Sequence, residues 1–429
     1  MKHLTIEVAR GIDLKIIQTD QFKNNMIVFN FTIPSNYQNF AKLALLAELL
    51  ENASTVYPSE MLVSRKLSEM FGAGYGVTVL RYGNQHTLRI RLTFPQNQYL
   101  PNHTDLLAEA FSFLREMIEH PYANGNQFES SYFNVHQTNL VNYLQALPDN
   151  REFYSTLQLQ KLYYASDLDQ GHYLLGTANE VRNQDADHLY TFYKEFLKKA
   201  QISVIVAGQI DSEVVRNQLT YFATFSERNA DDLSLYIRPQ LPMKTREKTE
   251  VVPGSQSILN LGYRLPVYFN DRLYLAATIF NQIFGASTRS LLFTNVREKA
   301  SLAYDIHSSY NSFAGMLSVQ AGIDFEKMPQ VIQTINLQLT AVVNGDYPDD
   351  LLIGVKNSMI NQHRSQSDYL TTLVERQYLR QISGISYEDK QWESAVMAVT
   401  KRDIAEVAKQ VHYEARYVLQ SQGGQNETN

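Results

Sequence analysis

The run Val296-Arg297-Glu298-Lys299-Ala300-Ser301-Leu302-Ala303-Tyr304-Asp305 joins the end of a helix expected over 287–299 to a strand expected over 302–310. It sets one arginine and one tyrosine, seven residues apart, at that junction. A second strand, 316–322, completes a pair with the first, and a long helix is expected over 328–343. Upstream, 257–265 reads as a strand stopped by Pro266, followed by a helix over 271–284.

The same series occurs earlier in the chain. Met26 to Ile33 reads as a strand stopped by Pro34, and 40–50 is a helix with almost nothing polar in it. A helix over 58–70 follows, then strands 75–82 and 85–94 joined at Gly83-Asn84, a hairpin signal. Long helices are expected over 101–120 and 128–147. The first copy closes with a helix over 190–200, a buried strand over 203–208 and a helix over 212–222. Between the copies, 226–253 carries a charged run with Pro239 and Pro242 and reads as a linker. The expectation is an α+β fold of two duplicated domains, 1–225 and 254–429, each an antiparallel sheet with helices packed mainly on one face.

Composition agrees with two domains. At 429 residues the chain exceeds the roughly 250–300 residues at which one core stops growing. It contains no cysteine, which excludes disulfides, thiolate nucleophiles, iron–sulfur clusters and cysteine zinc sites. Net charge is −6 with dispersed lysines and arginines, so a nucleic-acid partner is not expected. The first residues alternate like a strand rather than forming the apolar run of a signal peptide, and no window reaches the roughly 18 apolar residues of a membrane span. A soluble, cytoplasmic protein without a membrane partner is the expectation.

Arg297-Glu298-Lys299-x-x-Leu302-Ala303-Tyr304 in the second of two α+β copies resembles the pitrilysin/insulinase family of zinc peptidases, in particular its two-domain members similar to mitochondrial processing peptidase subunits. Leu175-Gly176-Thr177 before a helix, Val204 to Gly208, and Gly322-Ile323-Asp324 at a strand end extend the resemblance along nearly the whole chain. It implies one half of a clamshell-like chamber. It also implies a catalytic helix at 40–50, where active members carry His-x-x-Glu-His: two zinc-binding imidazoles one turn apart, a glutamate that activates water, and a further zinc-binding glutamate on a later helix. Here the matching residues are Leu45-Leu46-Ala47-Glu48-Leu49, and the later position falls near Asn139. Both imidazoles are replaced by leucine at Leu45 and Leu49; Glu48 alone remains. The ten histidines include no pair three or four apart, so no helix offers two imidazoles on one face. His307, near the opening run, reads as structural.

In active members an arginine and a tyrosine from the second copy contact the substrate carbonyl and the developing oxyanion, and Arg297 and Tyr304 match those positions. A guanidinium fork and a phenol both suit charge growing on oxygen. The plain alternative is that Arg297 pairs with Glu298 or Asp305 and that Tyr304 is half-buried filler. Tyr75, Gly76, Val77 and Thr78 correspond to the edge strand on which family members lay an extended substrate; backbone pairing of that kind needs no particular side chains.

The resemblance implies two functions. In one, the chain is the non-zinc subunit of a heterodimeric peptidase, lending Arg297 and Tyr304 to a paralogous partner's zinc for peptide processing, with no cofactor of its own. In the other, it is a catalytically silent scaffold or peptide-binding protein, linked to peptide maturation or a protein-modification pathway. As an isolated chain it is not expected to be an enzyme. Pairing, with the paralogue or with a second copy, is expected because an open half-chamber exposes a broad concave surface.

Overall fold

The computed structural model describes residues 2–101, 104–228, 233–238, 245–385 and 388–422. Pro239 and Pro242 of the expected linker, and His103, lie outside the described residues. Two compact units result: Met1–Gln145 with Tyr173–Leu235 and Gln366–Gly384, and Ala146–His172 with Tyr236–Ser365 and Ile385–Asn429.

The strands in chain order are β1 (Lys2–Ala9), β2 (Ile12–Gln18), β3 (Asn24–Pro34), β4 (Gly74–Tyr82), β5 (Gln85–Pro95), the short pair β6 (Ala123–Asn124) and β7 (Gln127–Phe128), and β8 (Gln201–Gly208). They continue in the second unit with β9 (Arg246–Pro253), β10 (Ser257–Arg264), β11 (Ala303–Asn311), β12 (Met316–Ile323) and β13 (His412–Gln422). The first unit's sheet runs β1-β2-β8-β3-β5-β4 and the second's β11-β12-β10-β13-β9. Omitting β1, the two orders are the same. Even the exception to antiparallel pairing is duplicated, because β2 is parallel to β8 and β9 is parallel to β13.

β9 lies inside the stretch 226–253 read as linker. Its residues Arg246-Glu247-Lys248-Thr249-Glu250 alternate poorly in polarity because the strand is an edge, where charge discourages pairing with another chain. It is nonetheless the counterpart of β2, and Arg416 and Tyr413 of β13 hold its Glu247, at 2.5 and 3.0 Å.

Helices cover one face of each sheet, as expected, but each sheet also carries one helix on the other face, taken from the opposite half of the sequence. In the first unit Leu370–Ser383 lays Leu370, Val374 and Tyr378 on Ile17, Met26, Val28, Ile205 and Ala207. The Tyr378 hydroxyl meets Thr87 and Thr32 at 3.0 and 3.2 Å, anchoring the helix to β5 and β3. In the second unit Arg151–Tyr163 does the same with Leu159 and Tyr163 on Ile258, Ala415, Tyr417 and Leu419. Gly262 on β10 makes that approach possible, since a Cβ there would lie 3.0 Å from the Tyr163 ring. The units are therefore not contiguous in sequence.

The Phe40–Asn52 helix has nine of its thirteen residues buried. A helix apolar nearly all round is held from several sides, so the residues at 45 and 49 sit in packed hydrocarbon.

Candidate functional site

Two separate clusters hold the residues singled out by sequence, one in each unit. In the first unit Leu45 is 0% exposed and Leu49 1%. Glu48 leans outward, its side chain 46% exposed, and its Oε2 stands 3.8 Å from Nδ1 of His136 on the Ser130–Gln145 helix. Asn139, on that same helix, is exposed; the side chain that approaches Glu48 is His136, not Asn139. Tyr132, one turn before His136, packs edge-on against its imidazole at 4.4 Å between centroids and donates its hydroxyl hydrogen to the Leu49 carbonyl at 2.8 Å. Burial drives the Tyr132 phenol far above its ordinary pKa, with Glu48, Glu60 and Glu51 adding to the effect, so this hydroxyl is a fixed donor and not a proton source.

A zinc site of the family type requires three protein donors of nitrogen, oxygen or sulfur around one point. Leucine at 45 and 49 supplies none, and Glu48 and His136 are two groups at 3.8 Å. Among the described residues the one cluster of three possible metal donors is Asp185, Asp187 and His188, all exposed. There the Asp185 carboxylate caps the Ala186–Lys199 helix by accepting from the His188 backbone at 2.9 Å, which is ordinary helix capping. The residues present do not fit a zinc ion.

β4, which carries Tyr75, Gly76, Val77 and Thr78, is the edge strand of the first sheet. Tyr75 is fixed inward, its hydroxyl donating to the Leu50 carbonyl at 2.9 Å and its ring standing edge-on to Phe113. Thr78 is exposed. The Val77 N–H points away from β5 and donates to Oε2 of Glu51 at 3.4 Å. Glu51 is therefore a residue sequence reasoning passed over, although the Glu48-x-x-Glu51 spacing already put two carboxylates on one side of the helix. Burial is the main influence raising its pKa, partly offset by that N–H.

In the second unit the opening run is irregular along its whole length. The expected α-helix winds as a π-helix over Phe293–Lys299, and Arg297 occupies its last turn, exposed, with its guanidinium 4.6 Å from the centre of the Phe293 ring. Ser301 has φ of 50°, the left-handed region that non-glycine residues rarely adopt. The chain then closes on itself through Leu302 N–H to the Val296 carbonyl at 3.0 Å. At the entry to β11 the register against β12 slips between Ala303 and Asp305, which makes Tyr304 the extra residue of a bulge. A bulge re-aims the side chain it carries, and Tyr304 is 60% exposed.

Neither part of the plain alternative holds. Phe293, rather than Glu298 or Asp305, is the partner of the Arg297 guanidinium, and the Asp305 carboxylate faces His307 at 3.4 Å. Tyr304 donates to Oδ1 of Asp324 at 2.8 Å, while Asp324 Oδ2 accepts from Lys327 at 2.8 Å. That hydrogen bond raises the phenol pKa, and Lys327 followed by Tyr304 holds the Asp324 carboxyl below its usual range.

Comparison with known proteins places these observations. The sequence profile described as "Peptidase M16 inactive domain" matches residues 184–359. A Bacillus subtilis (strain 168) protein called "Probable inactive metalloprotease YmfF" is 28% identical over 417 residues, covering 96% of this chain and 97% of that one. A conserved protein from Enterococcus faecalis V583 has a crystal structure that superposes with a TM-score of 0.94 at 30% identity, over 98% of this chain and 99% of that chain. A Pseudomonas fluorescens structure titled as a peptidase M16 inactive domain superposes with a TM-score of 0.79 at 13% identity, over 98% and 99% of the two chains, a likeness of fold. The chain belongs to the M16, pitrilysin-type peptidase family as an inactive member.

Proposed function

We propose that this chain is the non-zinc subunit of a two-subunit peptidase, offering Arg297 and Tyr304 to a peptide whose scissile bond lies at the zinc of a paralogous partner. One observation carries this reading: a π-turn, a left-handed serine and a bulge concentrate at the segment that exposes these two groups. Local strain of this kind costs of order 1–3 kcal/mol per residue, and such sites cluster where function needs them.

The proposal takes the protein as cytosolic and its partner as a zinc-bearing homologue of similar size. No helix among the described residues is long and apolar enough to cross a membrane. The second reading, a silent peptide-binding protein, is favoured by one specific contact: the Tyr304 hydroxyl is already committed to Asp324. A phenol engaged with a carboxylate must turn away from it before it donates to an oxyanion.

The test is cleavage of a quenched peptide library by the mixture of this chain with its zinc-bearing paralogue. A shared site predicts that the mixture exceeds the paralogue alone, and that Arg297→Ala or Tyr304→Phe lowers the rate about 10²-fold, the loss typical of a removed oxyanion donor. Unchanged rates in both variants refute the shared site. Peptide binding that persists without any rate enhancement establishes the silent reading instead.

A further inference from the structure

The Leu370–Ser383 helix does more than cover the first sheet; with β3 and β5 it walls a cavity of about 470 Å³. Three arginines line it, Arg89 and Arg91 from β5 and Arg376 from the helix, against one acid, Glu375. That acid is already used: it accepts from Nη1 of Arg89 and from the Tyr82 hydroxyl. Arg89 Nε donates to Asn30 at 2.6 Å, but its Nη2 is buried without a hydrogen-bond partner among the described residues. Arg376 Nη1 donates to Ser367 at 2.8 Å, and Arg91 makes no ion pair among the described residues, its charge being felt by Glu51. Arg89 and Arg91, facing one already engaged carboxylate, leave the cavity cationic.

The remaining wall is hydrocarbon, from Met26 and Val28 on one side and Val374 and Leu379 on the other. A bare phosphate has no use for such a surface, whereas a carboxylate on a short methylene chain uses both parts. A guanidinium prefers a carboxylate because two N–H groups reach two oxygens at once; Arg89 presents a buried Nη2 and Arg91 an exposed fork.

We propose that this cavity is a carboxylate-binding site, for an acidic side chain of a peptide or for a free aliphatic dicarboxylate. The peptide source rests on the peptide-binding reading above; the cavity itself does not. Its position supports that source. Arg91 lies directly across from Gly76 of β4 and Arg89 from Thr78. A side chain added at Gly74 would meet nothing, and one at Gly76 only the Glu51 carboxylate at 3.9 Å. The sheet face between the edge strand and the arginines is thus open to a side chain of a peptide lying on β4.

Calorimetric titration of the full chain tests this with four probes: glutarate, inorganic phosphate, and a capped extended peptide carrying one glutamate or, in its twin, one glutamine. Glutarate is expected to bind wild type and to weaken at least 10-fold in Arg91→Gln, with Arg376→Gln as a second variant should the first not fold. A 10-fold preference for the glutamate peptide over its twin identifies the peptide as source. Glutarate binding with equal or no binding of the two peptides identifies the free dicarboxylate, and no binding of either peptide also sinks the peptide-binding reading. Equal peptide binding without glutarate binding overturns the carboxylate site while leaving that reading standing. Phosphate binding as tightly as glutarate, or glutarate binding that both variants leave unchanged, overturns the assignment.

Discussion

Replacing His86 by leucine should remove a specific part of the protein's sensitivity to acid. His86 lies on β5, is 0% exposed, and presents its ring edge-on to Phe40 at 4.9 Å. Neither ring nitrogen has a hydrogen-bond partner among the described residues, so nothing in the folded state rewards a proton. Burial, helped by the positive charge of Arg81 across the hairpin, lowers the pKa from the ordinary 6.5 to about 3. The sign follows from proton counting. Below about pH 6.5 the unfolded chain binds a proton at this position that the folded chain refuses. Stability is therefore complete above that pH and falls as pH drops, by about 1.4 kcal/mol per unit, until the folded-state value is reached. From pH 7.5 to 5.0 only the part below 6.5 counts, some 1.5 units, or about 2 kcal/mol. The assay is urea unfolding followed by far-ultraviolet circular dichroism at both pH values. Wild type should lose about 2 kcal/mol more than His86→Leu over this interval, because leucine fills a similar volume and does not titrate. Parallel losses in the two proteins would show that the imidazole is solvated or paired, and the reasoning fails.

Other consequences are more local. Glu375→Ala strands a largely buried guanidinium, since the Arg89 side chain is 13% exposed, and should cost about 2–3 kcal/mol in urea unfolding, less than a fully enclosed pair because Glu375 is 33% exposed; Arg89→Met combined with Glu375→Leu should recover most of it. Gly208→Ala should lower stability by roughly 2–4 kcal/mol, read as a drop in thermal midpoint, because φ is 134° and the new Cβ would lie 2.1 Å from Asn25 Oδ1 and 3.0 Å from its Cα. Ser301→Gly relieves a left-handed serine and should raise stability by about 1 kcal/mol; a fall would mean that the serine side chain is held by contacts that outweigh its strain. Tyr304→Phe breaks a hydrogen bond between exposed groups and should leave the thermal midpoint unmoved, so that any loss of activity in the paired assay reflects the hydroxyl itself.

What the sequence disclosed and what it withheld divide along the chain's own locality. The duplicated series was readable because each strand stop, hairpin and helix is written in neighbouring residues, as Pro34, Gly83-Asn84 and Pro266 show. That the helix over 40–50 is apolar nearly all round was readable for the same reason, and its burial follows. The exchanged helices were not, because Leu159 and Tyr163, or Leu370, Val374 and Tyr378, show their purpose only against strands from the other half of the sequence. His136 beside Glu48 is a meeting of two helices about ninety residues apart, and no spacing rule reaches that far. The π-helical segment that carries Arg297 has no sequence period of its own. Those non-local facts change the reading of the two edge strands. β4 and β11 are counterparts in the duplicated sheets, and each edge is altered by a different device: a carboxylate from the neighbouring helix on the Val77 N–H in one, a bulge at Tyr304 in the other. An exposed edge invites another strand, and blocking it outright takes only charge or proline. Glu51 is a partly buried acid with a raised pKa, held among the described residues by one 3.4 Å bond. Such a group is displaced more easily than a fixed charge, and an incoming strand that offers its own carbonyl to Val77 would replace it.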